Sequence, residues 1–105
     1  MHELLARRPD IDGVFCFNDL LAIGALRALR EAGRAVPGDV AVVGFDDVED
    51  CRYTDPPLTS IAPDKAAIAA TALDLLIARM GASGPVEPQE VFPPYELVVR
   101  QSSAG

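Results

Sequence analysis

Val14-Phe15-Cys16-Phe17 is a short, unbroken apolar run with Gly13 before it and Asn18-Asp19 after it, the pattern of a strand buried on both faces. From there the period changes. Leu20, Ile23, Leu26 and Ala28-Leu29 recur at helical spacing, Asn18 or Asp19 can cap the first turn, and Gly33 supplies a stop. Arg27, Arg30 and Arg34 load the C-terminal end, where a helix dipole favours cations. Val36 to Asp39 reads as a turn, and Val40 to Val43 as a second continuous apolar strand closed by Gly44. Strand, helix and strand in that order form one βαβ unit, which makes the strands parallel and the crossover right-handed. The fold class is therefore α/β with an open parallel sheet. Phe17-Asn18-Asp19 and Phe45-Asp46-Asp47 leave the sheet on the same edge.

Asp46 to Asp55 is a polar loop of five acids and one Arg, ended by Pro56-Pro57 before an extended Leu58 to Ile61. Asp64 to Met80 reads as a second long helix, preceded by Pro63, capped by Asp64 and ended by Gly81. Its apolar residues wrap more than one narrow stripe, so it is expected to be covered on a broad face. Gly81 to Pro88 is a linker by composition. After it the Pro93-Pro94 break leads into a strand from Tyr95 to Arg100 that must start at an edge or a bulge. Gln101 to Gly105 is expected to fray.

Composition narrows the classes. A chain of 105 residues, half of them apolar, is one domain at most and can bury a core without staples. The net charge is −7 and Lys65 is the sole Lys, so there is no basic stripe to neutralise phosphates and these residues are not expected to bind nucleic acid by themselves. Cys16 and Cys51 are far apart and His2 is the only His, leaving little from which to build a zinc site or a disulfide framework. Both thiols are expected to pack as small hydrophobes. No apolar run is long enough for a membrane span, and Met1 to Pro9 lacks the apolar core of a secretory signal, so the expectation is a soluble chain with no membrane partner.

Familiar catalytic motifs are missing, including the glycine-rich dinucleotide and phosphate loops and the serine elbow, and no cofactor is expected. Asp46, Asp47, Glu49 and Asp50 cluster, but Val48 and Cys51 break the spacing of a calcium loop, which favours a solvated acidic segment. Asn18 and Asp46 stand apart, because open α/β sheets bind ligands in the crevice outside the carboxyl ends of their strands. An amide and an ionised carboxylate can together grip vicinal hydroxyls or a ring N–H. The same two residues can equally be a helix cap and a turn. Their chemistry alone leaves both readings open.

Phe15 to Leu26, then Val36-Pro37-Gly38-Asp39 running on to Gly44-Phe45-Asp46-Asp47, then Pro56-Pro57-Leu58-Thr59-Ser60-Ile61 resemble, in order and spacing, the LacI/GalR family of transcriptional regulators. Pro93 to Ser102 resembles that family's closing strand. The resemblance implies the C-terminal portion of a type I periplasmic-binding-protein-like sensor domain, cytoplasmic, without catalysis. The family's helix-turn-helix, hinge helix and the first half of its sensor have no counterpart in these residues, so the chain is expected to be a truncated or partial form, and DNA would be contacted only through the missing N-terminal part. By the resemblance, Asn18 and Asp46 contact a small effector, usually a sugar or nucleoside-like molecule. Ile23, Asp50, Arg52 and Tyr53 fall in the homodimer interface, and the helix from Asp64 to Met80 belongs to the opposite lobe. Two other readings remain: part of a periplasmic sugar-binding protein of a transporter, which shares the fold, and a phosphotransfer receiver or small α/β enzyme using the Asp46-Asp47 pair with Lys65 as a charge partner.

Overall fold

The computed structural model describes residues 1–104; Gly105, the end of the expected frayed tail, lies outside them. The elements run α1 (His2–Arg7), β1 (Gly13–Phe15), α2 (Asp19–Glu31), β2 (Ala41–Phe45), β3 (Thr59–Pro63), α3 (Lys65–Met80) and β4 (Tyr95–Val98), with a 3-10 turn at Glu49–Arg52. The chain divides into two compact units, Met1–Ala62 with Leu97–Gly105, and Pro63–Glu96. Four strands form one sheet in the order β1-β2-β3-β4, with β1, β2 and β3 parallel. The expected βαβ unit is present, and β4 lies at an edge as its prolines require.

In the first unit α2 packs on one face of the sheet. Ala22, Ala25, Leu26 and Leu29 are buried against Val40, Val42, Cys51 and Leu58, the i, i+3, i+4, i+7 stripe of a surface helix. The stripe is rotated from the one expected. Leu20 is 73% exposed and Ile23 only half-buried, because small residues face the sheet at this end of the helix. A Cβ on Gly44 would strike the Asp19 carboxylate and come within 3.3 Å of the Ala22 Cβ. Gly44 and Ala22 thus let the first turn of α2 lie directly on β2. At the other end Gly33, with φ of +69°, takes the left-handed turn that ends the helix.

Strand β1 is not buried on both faces as expected. Val14 and Cys16 turn toward the core while Phe15 and Phe17 turn away, Phe17 being 85% exposed. A continuous apolar run signals two covered faces only when both receive a layer, and within this unit α2 supplies one. The opening residues, which carried no assigned structure, form the short helix α1. Met1 and Leu5 pack against the core, and His2 Nε2 lies 3.2 Å from Glu31 on α2.

The C-terminal segment corrects another expectation. Ser102 is fully buried: its Oγ accepts the Thr59 N–H at 2.8 Å and donates to the Val42 carbonyl at 2.6 Å, and its own carbonyl accepts the Val42 N–H at 2.9 Å. The β2–β3 ladder begins at Val43 and Thr59, so Ser102 fills the gap just before the two strands meet. A residue that satisfies buried backbone groups of two strands does not fray.

In the second unit Asp64 accepts the Ala67 N–H at 2.9 Å as the N-cap of α3, and Gly81 follows the helix. No residue of α3 is buried, and Leu73, Leu76, Ile77 and Met80 are all exposed.

Removing the Ser102 hydroxyl leaves the Thr59 N–H and the Val42 carbonyl with one partner fewer in a dry site, a cost of about 1–3 kcal/mol per unsatisfied group. Ser102→Ala is expected to lower stability by about 2 kcal/mol, read as a lower urea midpoint at unchanged slope. A midpoint within error of the parent would contradict the bridging role.

Candidate functional site

The parallel strands place their carboxyl ends on one edge. Gly13, Val14 and Phe15 pair with Ala41, Val42 and Val43, and Cys16 N–H donates to the Val43 carbonyl at 2.8 Å. Asn18 follows β1 as the N-cap of α2 and Asp46 directly follows β2, so both stand beyond the carboxyl ends of neighbouring parallel strands.

Asn18 is a helix cap: its backbone is extended, with φ of −150°, and its Oδ1 accepts the Leu21 N–H at 2.9 Å. The cap engages the carbonyl end of the amide and leaves the Nδ2 end as a donor. Asp46 differs. It has φ of 109°, and Asp47 beside it has φ of 52°. Such conformations cost a non-glycine residue of order 1–3 kcal/mol and persist only where the surroundings enforce them. The Asp46 N–H donates to the Ile61 carbonyl at 2.9 Å, while its half-buried side chain takes no hydrogen bond or ion pair from the other described residues. A half-buried, unengaged carboxylate on strained backbone beside an amide donor is suited to accepting two hydrogen bonds from a ligand.

Asp47 is held by the C-terminal segment. Its Oδ1 pairs with Arg100 Nη1 at 2.7 Å, with the two side chains 19% and 14% exposed, and the same Arg100 nitrogen donates to the Leu58 carbonyl at 2.8 Å. Beneath this pair lies Asp19, which sequence reasoning left as an alternative cap. It is buried; its Oδ1 accepts from Ser60 Oγ at 2.6 Å and its Oδ2 from the Val48 N–H at 2.9 Å, and Ser60 Oγ in turn accepts the Asp47 N–H at 3.1 Å. An acid in the first turn of a helix ordinarily signals a solvated charge favoured by the dipole. No local feature of the sequence reveals that this one lies under the next strand's loop.

The remaining singled-out residues sit elsewhere on this unit. Asp50 and Arg52 are exposed in the 3-10 turn, Tyr53 follows it with 76% of its surface exposed, and Ile23 is half-buried on α2. No group of His, Cys, Asp and Glu among the described residues is arranged to hold a metal ion, and no helix there is long and apolar enough to cross a membrane. Lys65 is exposed at the start of α3, in the other unit.

Both thiols are buried, as expected. Cys51, at the centre of the 3-10 turn, is pushed up to about 12, first by burial and then by the neighbouring Asp19 carboxylate. An unfolded thiol ionises near 8.5, so above that pH the unfolded chain releases a proton that the folded chain retains. Stability is therefore expected to fall as pH rises from about 8.5 toward 12, by up to about 1.4 kcal/mol per unit. Urea titrations at pH 7.5, 9 and 10.5 should find Cys51→Ala gaining on the parent as pH increases. Parallel curves would contradict the buried neutral thiol.

Residues 1–103 match the periplasmic binding protein-like domain family. The chain is 41% identical over 102 residues to the HTH-type transcriptional regulator CelR of Thermobifida fusca, covering 97% of this chain and 30% of that protein. The structure of a CelR–cellobiose complex matches with a TM-score of 0.88 at 40% identity, over 97% of this chain and 31% of that one. A LacI family transcriptional regulator from Enterococcus faecium with bound ribose matches with a TM-score of 0.77 at 34% identity, over 98% of this chain and 39% of that one. The chain thus spans about a third of the length of the relatives it matches.

Proposed function

The chain belongs to the periplasmic binding protein-like domain family, and we propose that it is the part of a LacI-type regulator's sensor that forms one wall of a carbohydrate-binding cleft. The observation that carries the reading is Asp46, an unengaged carboxylate held at positive φ beyond the carboxyl end of β2, on the same sheet edge as the Asn18 cap that follows β1. Vicinal hydroxyls donate to Asp46 while Asn18 Nδ2 donates to a third sugar oxygen. Discrimination is strong in such a site, because a ligand lacking those hydroxyls leaves the carboxylate desolvated without partners. Similarity to regulators solved with cellobiose and with ribose supports a carbohydrate as the ligand class. In this reading the chain senses and does not catalyse. Contact with DNA belongs to the portion of the regulator outside the matched region, and the regulator works in the cytoplasm where its operator lies. The second unit, with its uncovered α3, belongs to the opposite lobe of the sensor.

Asn tolerates positive φ as readily as Asp, so Asp46→Asn removes the charge and keeps the backbone. One wall alone leaves most of a sugar wet, and the chain is expected to bind cellobiose at about millimolar strength. Amide NMR titration should find shifts centred on Asn18 and Asp46. In Asp46→Asn affinity should weaken at least tenfold, the scale of one charge-assisted hydrogen bond, with unchanged stability. Shifts elsewhere, or equal affinities, would return Asn18 and Asp46 to a cap and a turn.

Association of two copies through Ile23, Asp50, Arg52 and Tyr53 completes the reading. Its support is the exposure of Tyr53 beside a charged 3-10 turn, since exposed aromatic anchors dominate protein interfaces. Sedimentation equilibrium should find dimers in the parent, and a dimer constant weakened at least about tenfold by Tyr53→Asp. Identical behaviour of the two chains would place the interface elsewhere.

A further inference from the structure

Asp46 and Asp47 are consecutive non-glycine residues at positive φ, and something outside the dipeptide must hold them there. Three successive N–H groups each find a separate acceptor. That of Asp46 donates to the Ile61 carbonyl, that of Asp47 to Ser60 Oγ and that of Val48 to Asp19 Oδ2. Main chain from β3, a side chain from β3 and a side chain from α2 thus fix the loop on consecutive residues.

The Ser60 hydroxyl donates to Asp19 Oδ1 and its lone pairs accept the Asp47 N–H. Asp19 is buried with no cation paired to it among the described ion pairs. It accepts hydrogen bonds from Ser60 Oγ and the Val48 N–H and stands as the first residue of α2, at the positive end of the helix dipole. It reaches the loop because Gly44 has no side chain in its way.

We propose that Asp19 and Ser60 are positioning residues for ligand recognition: together they hold the Asp46–Asp47 backbone at positive φ, so that the Asp46 carboxylate is set before ligand arrives. The proposal rests on the reading of Asp46 as a ligand contact. Neither positioning residue touches ligand, and both act through the main chain of the loop. Ligand then meets a carboxylate already in place, and no binding free energy goes into ordering it.

The test uses the whole chain, isotopically labelled, in Ser60→Ala and in the isosteric Asp19→Asn, whose amide must present a donor to one of two groups that now donate. The three-bond coupling between the N–H and Hα of Asp46 and Asp47 reports φ directly, amide exchange at Asp47 and Val48 reports the clamp, and cellobiose is the probe. In both variants the couplings should leave their positive-φ values, exchange at Asp47 and Val48 should accelerate at least tenfold, and cellobiose affinity should drop about tenfold. Amides of β1 and of the last turns of α2 should stay unchanged. In an Asp46→Asn background Ser60→Ala should cost little further affinity, a coupling that a general loss of stability would not produce. Unchanged couplings and unchanged affinity in either folded variant would overturn the proposal. So would unfolding of the whole first unit by Asp19→Asn, since the pair would then hold the fold rather than the loop. If the parent itself ignores cellobiose while the couplings respond as described, the carbohydrate reading falls and the positioning of the loop stands.

Discussion

Gly44 lacks a side chain, and the place a Cβ would occupy is taken by the Asp19 carboxylate and the Cβ of Ala22. That close approach of α2 to β2 is the constraint on which the rest of the first unit turns. It brings a buried carboxylate over the carboxyl end of the central strand, where Ser60 from β3 and the Val48 amide from the following loop both need an acceptor. Desolvating an acid is costly unless every lone pair in use has a donor. The acid therefore gathers donors from two separate segments onto α2, and the loop that would otherwise be a polar excursion becomes ordered backbone. Overpacking at Gly44 would be felt at once in the site, because no layer of side chains separates helix, strand and loop there.

A second set of contacts closes the opposite end of the strands. Ser102 bridges β2 and β3 ahead of their ladder, and Thr59 Oγ1 accepts the Arg100 N–H at 2.7 Å. The Arg100 guanidinium meanwhile reaches Asp47 and the Leu58 carbonyl. Residues 100 to 103 therefore tie the entry of the sheet to the loop beyond its carboxyl edge through one side chain. The Arg100–Asp47 pair is largely shielded from water, so it is screened far less than an ion pair at the surface. Removing one partner would leave the other charge uncompensated, so Asp47 is a structural acid although it adjoins the proposed ligand contact.

The sheet of the first unit has one side packed and the other far less covered, and α3 in the second unit buries none of its residues. Both observations have the same physical content. The hydrophobic pattern of these segments is richer than the layers present within either unit can use. The chain is about a third as long as the regulators it matches.

The sequence by itself determined the alternation of elements, since the change from continuous apolar runs to helical spacing and the caps Asn18, Asp64 and Gly33 are local signals acting within a few residues. It also set Asn18 and Asp46 on one edge, because parallel strands joined by a crossover have no other arrangement, and its motif blocks carried the family. Burial was decided only in three dimensions. The phase of α2 follows the small residues facing Gly44 rather than the largest side chains, the outward turn of Phe15 and Phe17 follows from the single layer over β1, and Ser102 is buried because two strands diverge where it arrives. Asp19 is the clearest case. In the chain it is one acid beside a cap, indistinguishable from a solvated charge, and it becomes the anchor of the site only when α2, β3 and the loop after β2 converge on it. Such convergence joins residues as much as 41 positions apart, a separation at which no local pattern along the chain bears on contact.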